Sequence, residues 1–300
     1  MANEMTTTTL TEVIEREAYA ASVLYFAEVP GVSNFVARMD LTGQPTLTAR
    51  FPIYDKVSAQ AVAEMTDFTT NAALDPTAVD VTVSEHAIRF VITDLAAGAS
   101  RDQIFSAAAR ESSIVGRAAA EALQRRQDQD LTALFSGFDS STGSNSGAIT
   151  STLLIHAIGQ LDMWSIPRSP RTIVLHPFQW RTLIPVFDEA STYGVQGQQV
   201  LTSGLVSQNL YGANLFVTAN VATATISTST VYAGAVMHPS AIALATKGDM
   251  PSFEVQRDAS LRAFEVVATG VWGEAEYRGG ATTAGRGGAG VLLYSNSTVA

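Results

Sequence analysis

Chemistry needs side chains that ionise, ligate or attack, so the carboxylates, histidines and glycine loops come first. Two carboxylate pairs stand out by spacing, Asp128 with Asp130 and Glu274 with Glu276. The first pair falls in a helical period and the second in a strand, where residues two apart share a face. General acid–base work needs one carboxyl kept neutral beside one ionised. Neither pair has flanking residues that point to such a context, and both read as solvated faces. The four histidines, His86, His156, His176 and His238, are isolated, with no HxxH or HExxH spacing to bring two imidazoles onto one metal. His176 and His238 each precede proline, a position that suits helix entry better than ligation. Gly285-Arg286-Gly287-Gly288-Ala289-Gly290 spells the dinucleotide fingerprint, but too little chain follows it for the helix and second strand of a βαβ unit. The P-loop and nucleophile-elbow patterns are absent, and so is cysteine, which removes disulfides, thiolate metal sites and cysteine nucleophiles. Asn296-Ser297-Thr298 is a glycosylation sequon with meaning only in a secreted chain. The residues therefore predict no catalytic, cofactor or metal site.

Stepping from side chains to composition, 46% of the 300 residues are hydrophobic and only 15% charged, which fits a subunit whose surface is largely covered by partners. A net charge of −10 argues against gripping nucleic acid through a basic surface. Lys56 and Lys247 are the only lysines. MANEMTTTTL lacks the basic and apolar regions of a signal peptide, and no window reaches the ~20 apolar residues of a membrane span.

The element that organises the chain is Ser100–Phe138. It has no proline, Ser100 and Gln103 stand in capping-box relation, and Gly137 marks its end. Ile104, Ala108, Val115, Ala118, Ala119, Ala122 and Leu123 fall at helical steps, with Leu131, Leu134 and Phe135 extending the stripe. At 1.5 Å per residue the helix would be about 55 Å long. An earlier helix is predicted from Thr9, with Glu12 completing its cap and Leu10, Val13, Ile14, Ala18, Ala21 and Leu24 on one face. Thr46–Ile53 and Val79–Ile92 alternate with a strand period, the second reaching about 45 Å, with a bulge or bend after His86 where the phase flips. Together they predict a projecting hairpin arm with a polar tip around Lys56. Ser140–Ser151 reads as a linker. Beyond it, Thr152–Trp164 is helical, Arg171–Leu175 a buried strand, Pro177–Phe187 a short helix, and Asp188–Ser203 a long loop. Strands are expected at Ala213–Val217 and Val231–Met237, separated by a Thr/Ser-rich spacer, then at Phe253–Gln256, Arg262–Trp272 and Val291–Tyr294.

In this order the parts resemble the major capsid proteins of tailed phages, the Hong Kong 97 fold. The phrases that carry the likeness are VITDLAAGAS before the long helix, IVLHPFQWRTL, LYGANLFVTANV, VYAGAVMHPSAIALATKG and FEVQRDASLRAFEVVATGVWGEAEY. The resemblance implies an α+β chain divided into an N-terminal arm (1–45), an extended hairpin loop (46–93), a peripheral platform with the spine helix (94–150), an inserted α/β axial lobe (151–237) and returning platform strands (238–300). It implies a non-enzymatic subunit, without cofactor, that self-assembles into pentamers and hexamers as an icosahedral head around double-stranded DNA. Portal, scaffolding and decoration proteins are the implied partners, with weak contact to DNA and none to membrane. The implied location is the virion, after assembly in the host cytoplasm. Contacts between subunits are expected from Arg50, Phe51, Tyr54 and Lys56 in the hairpin and from Tyr193, Gln196 and Gln198 in the long loop. Relatives that cross-link use a hairpin lysine; Lys56 lies in that region, but no acceptor pattern matches. Some relatives carry a long N-terminal scaffolding segment, whereas this chain starts almost at the arm. An encapsulin-like nanocompartment shell and an acidic hydrolase are the alternatives.

Overall fold

The computed structural model describes residues 31–54, 57, 59–65, 67, 76–95, 114–191, 209–226, 228–248, 251–278 and 288–296. The helix expected from Thr9, the cap at Ser100 and most of the long loop's residues lie outside this set. In chain order the first strands are β1 (Ala37–Asp40), β2 (Thr48–Ile53), β3 (Thr77–Thr82) and β4 (Ser84–Thr93). Then come α1 (Ile114–Ala133), β5 (Ser141–Ser144), α2 (Ser151–Met163), β6 (Thr172–Leu175) and α3 (Pro177–Ser191). The rest is strand: β7 (Asn209–Leu210), β8 (Ala213–Val217), β9 (Thr223–Ile226), β10 (Ser229–Met237), β11 (Ile242–Thr246), β12 (Ser252–Asp258), β13 (Ala263–Glu276) and β14 (Gly290–Asn296).

The described part of the spine is α1 followed by a 3-10 turn, Leu134–Gly137. Val115, Ala119, Leu123, Leu131 and Phe135 recur at multiples of four and are buried. Ala118 departs from the expected stripe and faces outward. Gln124, Gln127, Asp128 and Thr132 are buried as well, so the helix is covered on a polar side in addition to its apolar one.

Beneath α1 lies a platform sheet centred on β13, fourteen residues long. β4 runs antiparallel along one edge, from Ala263 to Trp272, while the other edge is shared by β12 and β11; β1 adds parallel to β11. The second expected hairpin strand is not continuous. Its break falls at Val83, whose N–H goes to the Leu47 carbonyl while Ser84 already pairs with Trp272, so β3 and β4 belong to different sheets. Gly273 permits this crossing, because a Cβ there would run into the Thr82 carbonyl oxygen.

β2 and β3 form a two-stranded ribbon in register from Thr48↔Thr82 to Ile53↔Thr77. Two strands alone are marginal in water, and the ribbon solves this on its own body. Ala49, Phe51 and Val81 pack with Leu41, Val83, Ala243 and Ala245 in a second, smaller core. The root of the expected projecting arm thus lies on the platform, and beyond it Val57, Val62 and Met65 are exposed.

The remaining strands make a seven-stranded sheet in the order β5-β14-β10-β6-β8-β7, with β9 beside β10. Three expectations change here. The supposed linker contains β5, the Thr/Ser spacer contains β9, and the last strand joins β10 and β5 in this sheet instead of returning to the platform. Thr and Ser composition hid β5 and β9, because edge pairing needs backbone groups and no apolar face. Thr150 caps α2, its hydroxyl accepting from Leu153 N–H at 3.4 Å. Leu154, Ala157 and Leu161 fix that helix on the core. α3 docks through Gln179, whose Nε2 donates to the carbonyls of Tyr232 (3.0 Å) and Leu293 (3.3 Å). Gly234 keeps this approach open, since a Cβ would meet Gln179 Oε1 at 2.7 Å and the Val174 carbonyl at 2.8 Å.

Candidate functional site

The two carboxylate pairs that began the sequence reading sit in seams, not in solvent. Asp128 is buried on the polar side of α1, where its Oδ1 accepts from Val32 N–H at 2.9 Å and its Oδ2 from Asn220 Nδ2 at 3.3 Å. Four residues on, Thr132 donates its hydroxyl to the Asn220 carbonyl at 2.9 Å. One turn of α1 therefore joins the strand-entry segment at Val32, the spine and the seven-stranded sheet's loop. Burial pushes the Asp128 carboxyl above its ordinary range, against the lowering effect of the Val32 and Asn220 hydrogen bonds.

Asp130, Glu274 and Glu276 occupy the seam between α1 and β13. Trp272, fully buried, donates Nε1 to Asp130 at 3.4 Å, and Arg126 grips the same carboxylate at 3.0 Å. Glu274, two residues along the same face of β13, is raised by burial and then by the Asp130 charge, with Arg126 opposing. Glu276 packs where a Gly137 Cβ would stand and is raised by burial and by Asp139. Spacing placed Glu274 and Glu276 on one face of the strand, whereas Asp128 and Asp130, two apart on a helix, turn to different seams.

Histidines are similarly absorbed. His86 stacks on Trp272 with ring centroids 3.9 Å apart, and His176 stacks on Tyr232 at 3.9 Å. The Nδ1 of His238 accepts from Ser240 N–H, capping a short 3-10 turn. Burial lowers the basicity of both His176 and His238, and nearby Arg171 and Arg278 add to it at His238. Among the described residues, no three acidic or histidine side chains are grouped to hold a metal ion.

The expected contact residues separate. Arg50 is exposed on the ribbon's outer face, 3.7 Å from Asp80 in a solvated ion pair, and Tyr54 is 59% exposed. Phe51 is not available to a neighbour: it is 5% exposed and packs against Tyr277 with centroids 5.5 Å apart. Alternation put Phe51 and Arg50 on opposite faces, and the inner face is the one its own platform covers. Lys56, Tyr193, Gln196 and Gln198 lie outside the described residues. The sequence reading missed an apolar group at the platform's far end, Val91, Leu95 and Leu261, each about half exposed or more. The signal was there at Val91, which falls out of phase with the inward Ile88, Phe90 and Ile92. The outward side of α2 exposes Ile155 and Met163 in the same way.

Extended elements, a spine clad on two sides and exposed apolar faces at separate ends define the class of a subunit that builds by contact. Residues 76–283 match the model of a family described as phage capsid protein, a span of more than half the chain, and the chain belongs to that family. Among curated proteins none matches it. Solved structures similar to it include one described as Mycobacterium phage Che8, at 21% identity over 87% of this chain and 89% of that one, TM-score 0.61. The head structure of Helicobacter pylori bacteriophage KHP40 is 13% identical over 86% and 88%, TM-score 0.68. A virus-like particle from Pyrococcus furiosus is 11% identical over 93% and 98%, TM-score 0.56. The fold is the Hong Kong 97-like capsid fold, and the protein is a major capsid subunit that self-assembles into the head shell of the virion.

Proposed function

We propose that the subunit closes into pentamers and hexamers that form an icosahedral head around the double-stranded DNA of a tailed phage, with assembly in the host cytoplasm and no enzymatic step. The observation that carries this is the extent of the family match, which takes in β3 of the ribbon, the spine, the lobe as far as β10 and the platform strands β4 and β11 to β13. Extended elements and apolar ends belong to a subunit that satisfies itself through copies, in ring-closing heterologous contacts. The division into arm, hairpin, platform and lobe is kept, with β5 and β14 assigned to the lobe. Arg50, Tyr54, Lys56, Tyr193, Gln196 and Gln198 are proposed to face neighbouring subunits, together with Val91, Leu95 and Leu261. Portal, scaffolding and decoration proteins are proposed partners. A chain of net charge −10 is expected to hold packaged DNA only weakly and without sequence preference. Particles purified from infected cells test this reading. It expects nuclease-protected double-stranded DNA inside, and a monomer-sized band on a denaturing gel because Lys56 is not cross-linked. Small shells filled with protein cargo would contradict it.

A further inference from the structure

The seam between α1 and β13 gathers Asp130, Glu274, Glu276 and Asp139 around Arg126. Trp272, Glu274 and Glu276 present one face of β13 to the end of the spine. Val271, Ala275 and Tyr277, on the other face, pack against the ribbon's core. Facing Glu274 and Glu276 from α1 are Asp130 and Arg126, and just past the 3-10 turn is Asp139. Arg126 is already committed to Asp130. From β4 comes His86, stacked on Trp272, while Glu85 is paired with Val271 and lies on the opposite face. The paired positions on β11 are Leu244 for Glu274 and Ile242 for Glu276, and the β3 backbone passes at Thr82, none of them ionisable. Arg278 lies two residues beyond Glu276 on the same segment.

The location sharpens the conflict. The C-terminal end of a helix carries partial negative charge and unpaired carbonyls, so a carboxylate is the wrong group to seat there. Glu276 sits against Gly137 at that end, its Oε1 in the space where a Cβ would stand, so a side chain there would displace the carboxyl. A neutral carboxyl in the same place loses the repulsion and gains a proton to donate.

We propose that this seam is a proton-tightened joint: uptake of protons by Glu274 and Glu276 in mild acid locks the spine onto the platform, and their loss at neutral to alkaline pH loosens it. A carboxyl whose affinity for protons is higher folded than unfolded binds more protons in the native state. Stability then falls as pH rises through the window above the ordinary carboxylate range. Asp128 acts in the same direction at its own junction. Asp162 works oppositely, held below its ordinary range first by its hydrogen bond from Arg171, so its stabilisation is lost only in stronger acid. The joint belongs to the subunit and holds whether or not the shell encloses DNA.

The test uses the purified full-length chain in urea at constant ionic strength. Burial keeps His176 and His238 neutral in the fold, so their protonation on unfolding lowers the midpoint over the same range in every variant. The joint is therefore read as the midpoint of wild type minus that of Glu274→Gln with Glu276→Gln, a difference expected to rise from pH 8 to about pH 5. The double variant is expected to match or exceed wild type at pH 8 and to fall behind it at pH 5. Hydrogen exchange on the wild-type chain, corrected for the intrinsic pH dependence, supplies a reading that needs no variant. Amides of 126–138 are expected to be better protected at pH 5 than at pH 8. A difference between wild type and the double variant that stays level or shrinks towards pH 5, or equal or weaker protection of 126–138 at pH 5, overturns the proposal.

Discussion

Phe51 and Asp128 show how a single side chain divides between holding the subunit together and leaving it free to meet others. Phe51 fills the space between ribbon and platform, so Phe51→Ala is expected to cost about 3 kcal/mol, at the lower end for buried aromatics because the site lies near the ribbon's root. Its neighbour Arg50 makes an exposed pair with Asp80, and Arg50→Ala should change stability by less than about 0.5 kcal/mol. Urea unfolding of the unassembled chain distinguishes the two. Asp128 satisfies two donors inside the protein, and Asp128→Ala leaves both without a partner, at an expected cost of about 2–3 kcal/mol. Asp128→Asn keeps an acceptor for Val32 and should cost clearly less in the same melt; equal losses would mean that shape, not hydrogen bonding, sets the cost. What the sequence conveyed at this scale was the face each residue takes, since two-residue and four-residue periods are geometric. What covers a face is decided by distant chain, 96 residues away for Val32 and Asp128, and that was not legible.

At the scale of elements, the described second half of the spine, the buried strand β6 and the α2 helix were readable because each depends on local chemistry. Tyr211 and Gly212 both have positive φ, 52° and 83°, as a tight two-residue hairpin demands. β11 escaped the reading of periods because IALAT is short and its first four residues are all apolar and all buried, which leaves no alternation. The crossing from β3 to β4 was legible as a change of phase but not in place. It is set by Gly273 on a strand 190 residues later, where a side chain would collide with the Thr82 carbonyl. Gly273→Ala is therefore expected to destabilise the chain by about 2–3 kcal/mol, as overpacking against backbone does. The loss should appear in the thermal midpoint and as increased amide exchange in β3. A melt unchanged from wild type would show that β3 and β4 cross elsewhere.

For the whole molecule, the low charge content, the spine covered on both sides and the apolar ends at Val91, Leu95 and Leu261 describe a protein whose surface is completed by others. Its two sheets are separate, one built on β13 and the other on β10, and α1 contacts both strands. That arrangement gives the subunit a stiff member running between its two sheets. The central claim is that copies of this chain close upon one another, and negative-stain imaging of the purified, full-length protein tests it most directly. The account predicts closed particles of uniform diameter, disrupted when Leu95 and Leu261 are replaced by charged residues that leave the subunit folded. A protein that remains a folded, dispersed monomer under every assembly condition would contradict it.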